Sequence, residues 1–161
     1  MSKKLENNGL WESSRMMLPQ HREAIQNRHH VKPIQQTAPK REEIELMRDS
    51  ILLPMLQTIV VRKIQDIERS SETLRLLYSK VAQILASRIY ADVSRIQGEL
   101  MEQDIEVFIE EKDDQIIRCR YTYRGYEDGF MMTREAMRAE ISVKLGRYID
   151  QFVKSIRAIG S

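Results

Sequence analysis

Histidine and cysteine, which often serve as catalytic residues or metal ligands, are few in this sequence, and their spacing matches no catalytic or metal-binding pattern. The three histidines are His21, His29 and His30, and none of them pairs at the helical spacing, with an acid between, that zinc proteases use. Cys119 is the single cysteine, which excludes an intramolecular disulfide and a cysteine cluster around zinc. It falls on the apolar face of a predicted strand, where cysteine acts as a small buried hydrophobe. We therefore expect no catalytic residue, no metal and no cofactor, and predict that the protein is not an enzyme.

An arginine-rich strand offers a different chemistry, the binding of nucleic acid. Arg118 and Arg120 alternate with apolar residues, and Arg124 follows on the same strand. An exposed sheet face that carries arginine can bind phosphate and stack bases. The acids of the preceding strand, Glu106 and Glu110, offset this charge, so the other interpretation is a set of solvent-facing ion pairs. A nucleic-acid-binding module that uses Arg118, Arg120, Arg124 and the basic N-terminal arm is our alternative function.

A short segment near the N-terminus has the composition of a docking motif. Trp11, the single tryptophan, is followed by Met16, Met17 and Leu18, and then by Pro19. Proline suits the first position of a helix because its missing N–H has no partner to lose there. Trp and Met supply contact area when such a segment binds a protein. The other interpretation is that Trp11 and Leu18 cover the protein's own core.

Residues 9–24, with the sequence GLWESSRMMLPQHREA, resemble the N-terminal segment of the bacterial YolD-like family. Members open with a similar pattern of Trp, Met-Leu-Pro, His and acidic/Ala residues, which adds His21 to the docking candidates. The family is thought to accompany Y-family translesion DNA polymerases at DNA-damage-inducible or mobile-element loci. The resemblance implies a partner of that class and a role in DNA repair or in a mobile element. This chain departs from the family after the motif, because it continues into long helices.

The composition is that of a soluble single-domain protein of 161 residues, with 42% hydrophobic and 31% charged residues. No apolar run approaches the roughly 20 residues that span a bilayer, and no signal-peptide pattern opens the chain, so we expect a cytoplasmic protein without membrane contact. The charge is uneven, since residues 1–40 carry +4 and residues 41–161 carry −2. We predict a basic flexible arm with the docking motif over residues 1–40 and a body over residues 41–161.

Helical spacing of apolar residues predicts two long helices at the start of the body. The first begins at Arg41, and Pro54 either kinks it or starts a separate helix capped by Asp49 or Ser50. The second begins after an N-cap at Ser70 or Ser71, with or without a break near Gly98. Its predicted apolar face consists of Leu74, Tyr78, Val81, Leu85, Ile89, Val93, Ile96 and Leu100. A helix of about 30 residues is longer than a small domain is wide, so part of it should extend past the domain and contact an identical subunit. The sequence therefore predicts self-association.

Alternating residues then predict an antiparallel hairpin, followed by a last helix. In the predicted register Val107 faces Tyr121, Ile109 faces Cys119, Phe108 faces Arg120 and Glu110 faces Arg118, across a loop at residues 113–115. Residues 130–132 allow a short third strand. Thr133 is the predicted cap of the last helix. The predicted apolar stripe of that helix, for packing on the sheet, is Met137, Ile141, Leu145, Tyr148, Phe152, Ile156 and Ile159.

The sequence thus predicts an α+β fold with two long helices, a sheet of two or three antiparallel strands and a C-terminal helix packed on that sheet. The function that we expect is a non-enzymatic accessory or regulatory protein that acts through protein–protein contacts. The arm is expected to dock a protein partner, and the long helices are expected to mediate formation of a homo-oligomer.

Overall fold

The computed structural model describes residues 37–160, which form three helices and three strands. In chain order these are α1 (Arg41–Arg69), α2 (Arg75–Glu102), β1 (Ile105–Lys112), β2 (Ile116–Tyr123), β3 (Tyr126–Thr133) and α3 (Arg134–Ile159). The predicted α+β fold is confirmed. No helix in the described part combines the length and the apolar character that crossing a bilayer requires. The division into an arm and a body at residue 40 stays a prediction, because the arm lies almost wholly outside the described residues.

Helix α1 is continuous through Pro54, so the proline does not start a second helix. The helix is apolar at its centre, and its buried residues are Met47, Leu52, Leu53, Leu56 and Val60. The Thr58 hydroxyl donates a hydrogen bond of 3.0 Å to the Pro54 carbonyl. Residues 51–61 are apolar around the helix, which predicts burial on every side, and this holds only in part because Ile59 and Val61 are 43% and 41% exposed.

The predicted start of α2 at Ser70 or Ser71 is wrong by about four residues, because the helix begins at Arg75. Ser70 instead ends α1, since its backbone N–H and its hydroxyl both donate to the Ile67 carbonyl, at 3.1 and 2.7 Å. A serine beside a helix end satisfies free backbone groups at either terminus, and the sequence alone does not choose between them. Gly98 lies within α2 without a break, so α2 has 28 residues and is about 42 Å long.

The three strands form an antiparallel sheet in the order β1-β2-β3. The predicted pairs Val107–Tyr121, Ile109–Cys119 and Phe108–Arg120 are confirmed. The predicted loop over residues 113–115 is also confirmed, and the Asp113 carboxylate accepts hydrogen bonds there from the backbone N–H groups of residues 115 and 116.

One predicted pair of the hairpin is wrong. The register shifts between Ile109 and Glu111, so Glu111 rather than Glu110 lies opposite Arg118. The extra residue is a β-bulge, which places two residues of one strand against one of its partner. Alternation alone cannot reveal it, because both candidate residues are glutamates.

Strand β3 has eight residues, more than the three that the sequence suggests. Gly129 lies in its middle, opposite Arg120. A Cβ atom at this position would lie 2.7 Å from the Cys119 carbonyl oxygen, so glycine is needed for the close approach of β3 to β2. Glycine at residue 129 is typical of a turn in a sequence, but here it belongs to the sheet.

Thr133 caps α3 as predicted, since its hydroxyl accepts a hydrogen bond of 3.1 Å from the Ala136 N–H. The helix contacts β3 near its start and contacts α1 and α2 along its length. Its apolar stripe is buried or half-buried from Met137 to Phe152. Ile156 and Ile159 are 52% and 87% exposed, so the predicted stripe leaves the core before the helix ends.

Candidate functional site

The half of the α1–α2 hairpin nearer the connecting loop carries exposed apolar side chains on its outside. We call this surface the hairpin tip. It consists of six side chains that are between 41% and 71% exposed, namely Ile59, Val61, Leu74, Leu76, Leu77 and Tyr78. Several exposed apolar side chains in one part of a protein are typical of surfaces that bind other proteins.

The hairpin tip arises because a polar residue faces α1 where the sequence predicts an apolar one. Ser79 is 5% exposed and its hydroxyl donates to the Glu68 carboxylate at 3.1 Å. Tyr78 and Leu74, which belong to the predicted buried face of α2, are instead 47% and 51% exposed. The sequence signal was present in Leu76-Leu77-Tyr78, because three successive large apolar residues cannot all face one side of a helix.

Charge around the hairpin tip is weakly positive. Residues 59–80 contain five basic residues and three acidic ones. Lys63 and Asp66 form an ion pair of 3.9 Å, and Arg75 donates to the Ser70 carbonyl at 3.3 Å. A partner segment that combines apolar side chains with an acidic border would complement this surface.

An open groove of about 930 Å³ lies between the first half of α1 and the first half of α3. Two ion pairs cross it. Arg48 pairs with Glu140, and the Lys144 ammonium lies 2.5 Å from the Asp49 carboxylate. Lys144 is 18% exposed and Asp49 is 33% exposed, so this second pair is partly withdrawn from water. These contacts align α1 with α3. Arg147 also lines the groove, and it forms no ion pair with any residue between 37 and 160.

A smaller cavity of about 160 Å³ adjoins this groove where all three helices meet. There the Tyr148 hydroxyl donates to the Asp92 carboxylate at 2.5 Å. Burial is the main cause that raises the pKa of Tyr148 above its ordinary value, and this hydrogen bond is the second cause. A tyrosine that holds its proton in this way is a donor that fixes α3 against α2, and it is not prepared to act as a base or nucleophile.

The predicted nucleic-acid residues Arg118 and Arg120 share the outer face of β2, and both lie near carboxylates. Arg118 is 3.6 Å from Glu111, and Arg120 is 3.5 Å from Glu110. Both arginines remain about half exposed. These distances match the alternative interpretation of solvent-facing ion pairs.

Arg124 is separated from the other two arginines, because it lies in the turn between β2 and β3. Its backbone has φ 48°, in the left-handed region, and its guanidinium lies 5.3 Å from the Tyr123 ring centroid. The structure therefore does not gather the three predicted arginines into one binding surface. Nucleic-acid binding remains a prediction.

The other chemically active residues have structural positions or lie outside the described part. Cys119 is fully buried, and burial raises the pKa of its thiol, which disfavours the reactive thiolate. Between residues 37 and 160 no three His, Cys, Asp or Glu side chains come together as metal ligands. The predicted docking residues Trp11, Met16, Met17, Leu18 and His21 lie outside the described residues.

A comparison with protein families identifies the body. The model of the family described as "YhjD protein" matches residues 38–153, more than two thirds of the chain. The chain belongs to the YhjD family. The YhjD match contains the hairpin tip, both cavities and the whole sheet, whereas residues 9–24, with their resemblance to the YolD-like family, precede it. No curated protein matches the chain, and no solved structure matches it.

Proposed function

We propose that this YhjD-family protein is a non-enzymatic accessory or regulatory protein of the cytoplasm, and that the hairpin tip binds its protein partner. The observation that supports this function is the exposure of six apolar side chains at one end of a hairpin whose other half has a well-buried core. Leaving such groups in water costs free energy that a partner would recover by covering them. The partner segment that fits best is apolar with an acidic border.

The test compares two variants of α2, in each of which one exposed apolar residue is replaced by glutamate. Leu76→Glu places a charge in the hairpin tip, where the native side chain is 71% exposed. Met101→Glu is the matched control, because Met101 is 82% exposed near the opposite end of α2. We expect one protein, identified by quantitative mass spectrometry of affinity-purified full-length chain, to be lost with Leu76→Glu and retained with Met101→Glu. Purified, that protein should bind the native chain directly, and a set of captured proteins identical for both variants would exclude the hairpin tip.

A narrower proposal concerns the arm. The resemblance of residues 9–24 to the YolD-like family supports a Y-family DNA polymerase as partner, and thus a role in DNA repair or in a mobile element. Trp11, Met17 and Leu18 would then supply the contact area. The direct test is binding of a purified polymerase of this class to the full chain and to a chain with all three residues replaced by alanine. Equal binding, or no binding to the native chain, would refute this partner while leaving the hairpin-tip proposal open.

A further inference from the structure

Helix α3 presents a second apolar surface, which the proposed function does not use. Ile149, Val153 and Ile156 follow one another at intervals of four and three residues, so they lie along one side of the helix. They are 43%, 37% and 52% exposed. We call these three side chains the α3 stripe.

The adjacent side of α3 is already occupied by α2. Arg88 of α2 donates to the Ser155 hydroxyl at 3.3 Å, and its guanidinium lies 5.7 Å from the Phe152 ring centroid. Tyr148 is bound to Asp92 on the same side. The α3 stripe is therefore directed to another side of the helix than its contacts with α2.

Two opposite charges border the α3 stripe. Asp150 and Arg157 are seven residues apart, which places them on one side of α3, next to Val153. Both are exposed, and neither forms an ion pair with another residue of the described part. The apolar stripe and its charged border share the same centre, close to Val153.

We infer that the α3 stripe is the contact surface of a symmetric homodimer, in which α3 packs antiparallel against α3 of a second copy. A two-fold axis near Val153 brings Val153 against itself and Ile149 against Ile156 of the second copy. The same rotation places Asp150 beside the second copy's Arg157, twice in each dimer. A two-fold interface requires one surface that complements itself, and the α3 stripe with its border meets that requirement.

The charges also select the antiparallel arrangement. In a parallel pair the side of α3 that carries Asp150 and Arg157 would face the opposite side of the second copy's helix, so the two charges would not meet. About one half of α3 takes part in the overlap, so the buried area lies at the low end for specific interfaces. We therefore expect a reversible dimer that forms as the concentration rises through the micromolar range. The sequence predicts self-association through the long helices α1 and α2, whereas we place it on α3.

Sedimentation of the full chain over a concentration series tests this dimer. The native protein should pass from 19.0 kDa towards twice that mass. Val153→Glu places two like charges at the two-fold axis and should keep the protein monomeric. Val143→Glu is the matched control, since it makes the same change at a 55% exposed valine of α3 that lies ten residues before Val153, outside the antiparallel overlap, and it should leave the dimer intact. A native chain that stays monomeric throughout the series would overturn the inference, as would dimerisation by the Val153→Glu variant.

A charge exchange tests the register without altering the apolar surface. Asp150→Arg alone and Arg157→Asp alone should each weaken the dimer at least tenfold, because each places like charges together. The double variant should restore it to near the native strength. Both positions are exposed, so these variants should remain folded, and thermal unfolding of each one measures the small loss expected where Arg157→Asp places an acid in the last turn of α3. Failure of the double variant to recover would exclude the proposed antiparallel register.

Discussion

The junction of the three helices and the hairpin tip place polar and apolar groups in opposite ways. At the junction, Lys144 and Asp49 pair between helices, and Tyr148 donates to Asp92. At the hairpin tip, large apolar side chains such as Leu76 lie on the outside. Both placements cost free energy in an isolated protein unless a partner group compensates them. At the junction the partner group lies within the chain.

This contrast suggests that the junction contributes to the stability of the fold and that the hairpin tip contributes to binding. A charge between two helices is satisfied at one alignment only, so the junction fixes how α3 lies along α1 and α2. Nothing comparable satisfies the apolar groups of the hairpin tip within residues 37–160. We therefore expect substitutions at the junction and in the core to change folding, and substitutions at the hairpin tip to change binding alone.

The largest expected effect is the difference between a core side chain and one at the hairpin tip of the same helix. Ile89→Ala removes a side chain that is fully buried and should lower the free energy of unfolding by about 2–5 kcal/mol. Leu76→Ala, at 71% exposure, should change it by less than about 0.5 kcal/mol. Urea denaturation of both variants measures the difference. A similar loss in both would mean that the hairpin tip contributes to the core, against our interpretation.

An intermediate effect is expected for the ion pair at the junction. Lys144→Ala leaves the partly buried Asp49 carboxylate without its partner, which should cost about 1–3 kcal/mol of unfolding free energy. In a double-mutant cycle with Asp49→Ala, the double variant should be less destabilised than the sum of the single ones. Lys63→Ala is the control, because its ion pair with Asp66 is well exposed and should contribute little. Additive losses at the junction would show that the two charges act independently.

The sequence predicts the elements of this fold better than it predicts which sides of them are exposed. The strand pairing of Val107 with Tyr121 follows from alternation, and the cap at Thr133 follows from residue type, so both were predictable. The start of α2 was not, because Ser70 can cap either helix end. Position 79 shows the general difficulty. A serine looks exposed in the sequence, yet a carboxylate eleven residues away provides the partner that allows its burial.

The candidate surfaces could be predicted only in part for a related reason. The apolar residues of α3 form one helical pattern in the sequence, but the helix continues beyond the neighbours that cover it, so Ile159 at its end is 87% exposed. The ion pairs between α1 and α3 join residues about ninety positions apart, and no local pattern reveals them. Arg118 and Arg120 were predicted to share a face and do so, whereas the bulge that changes the glutamate opposite Arg118 was invisible.

A smaller effect, with a distinct pH dependence, is expected for Tyr148. Tyr148→Phe removes the hydrogen bond to Asp92 and should cost about 1 kcal/mol near neutral pH. Because the pKa of Tyr148 is raised in the folded protein, the unfolded chain loses this proton first as the pH rises. The advantage of the native protein over the variant should therefore be complete below about pH 10 and should decline above it.

Urea denaturation of the native protein and the Tyr148→Phe variant, from about pH 8 to about pH 11, measures this decline. Tyr90→Phe is the control, since Tyr90 is 61% exposed and the substitution should leave the stability nearly unchanged. An advantage of the native protein that stays constant across this range would contradict the assigned role of the Tyr148 proton.

The smallest expected effect concerns the arginines of the sheet, and it decides whether they belong with the stabilising contacts or with a binding surface. Arg118 lies 3.6 Å from Glu111, and both side chains are about half exposed. Arg118→Ala should therefore lower the free energy of unfolding by about 0.2–1 kcal/mol, and by less at high salt. Glu111→Ala is the matched control, because removing either partner of a structural ion pair should cost a similar free energy of unfolding.

Phosphate contacts predict another pattern, in which Arg118→Ala and Arg120→Ala weaken nucleic-acid binding and flatten its salt dependence while Glu111→Ala strengthens binding. We expect similar losses of stability from Arg118→Ala and Glu111→Ala, because each arginine already lies near a carboxylate of β1. Salt-dependent binding of short DNA or RNA that Arg118→Ala abolishes would instead assign this sheet face to nucleic acid.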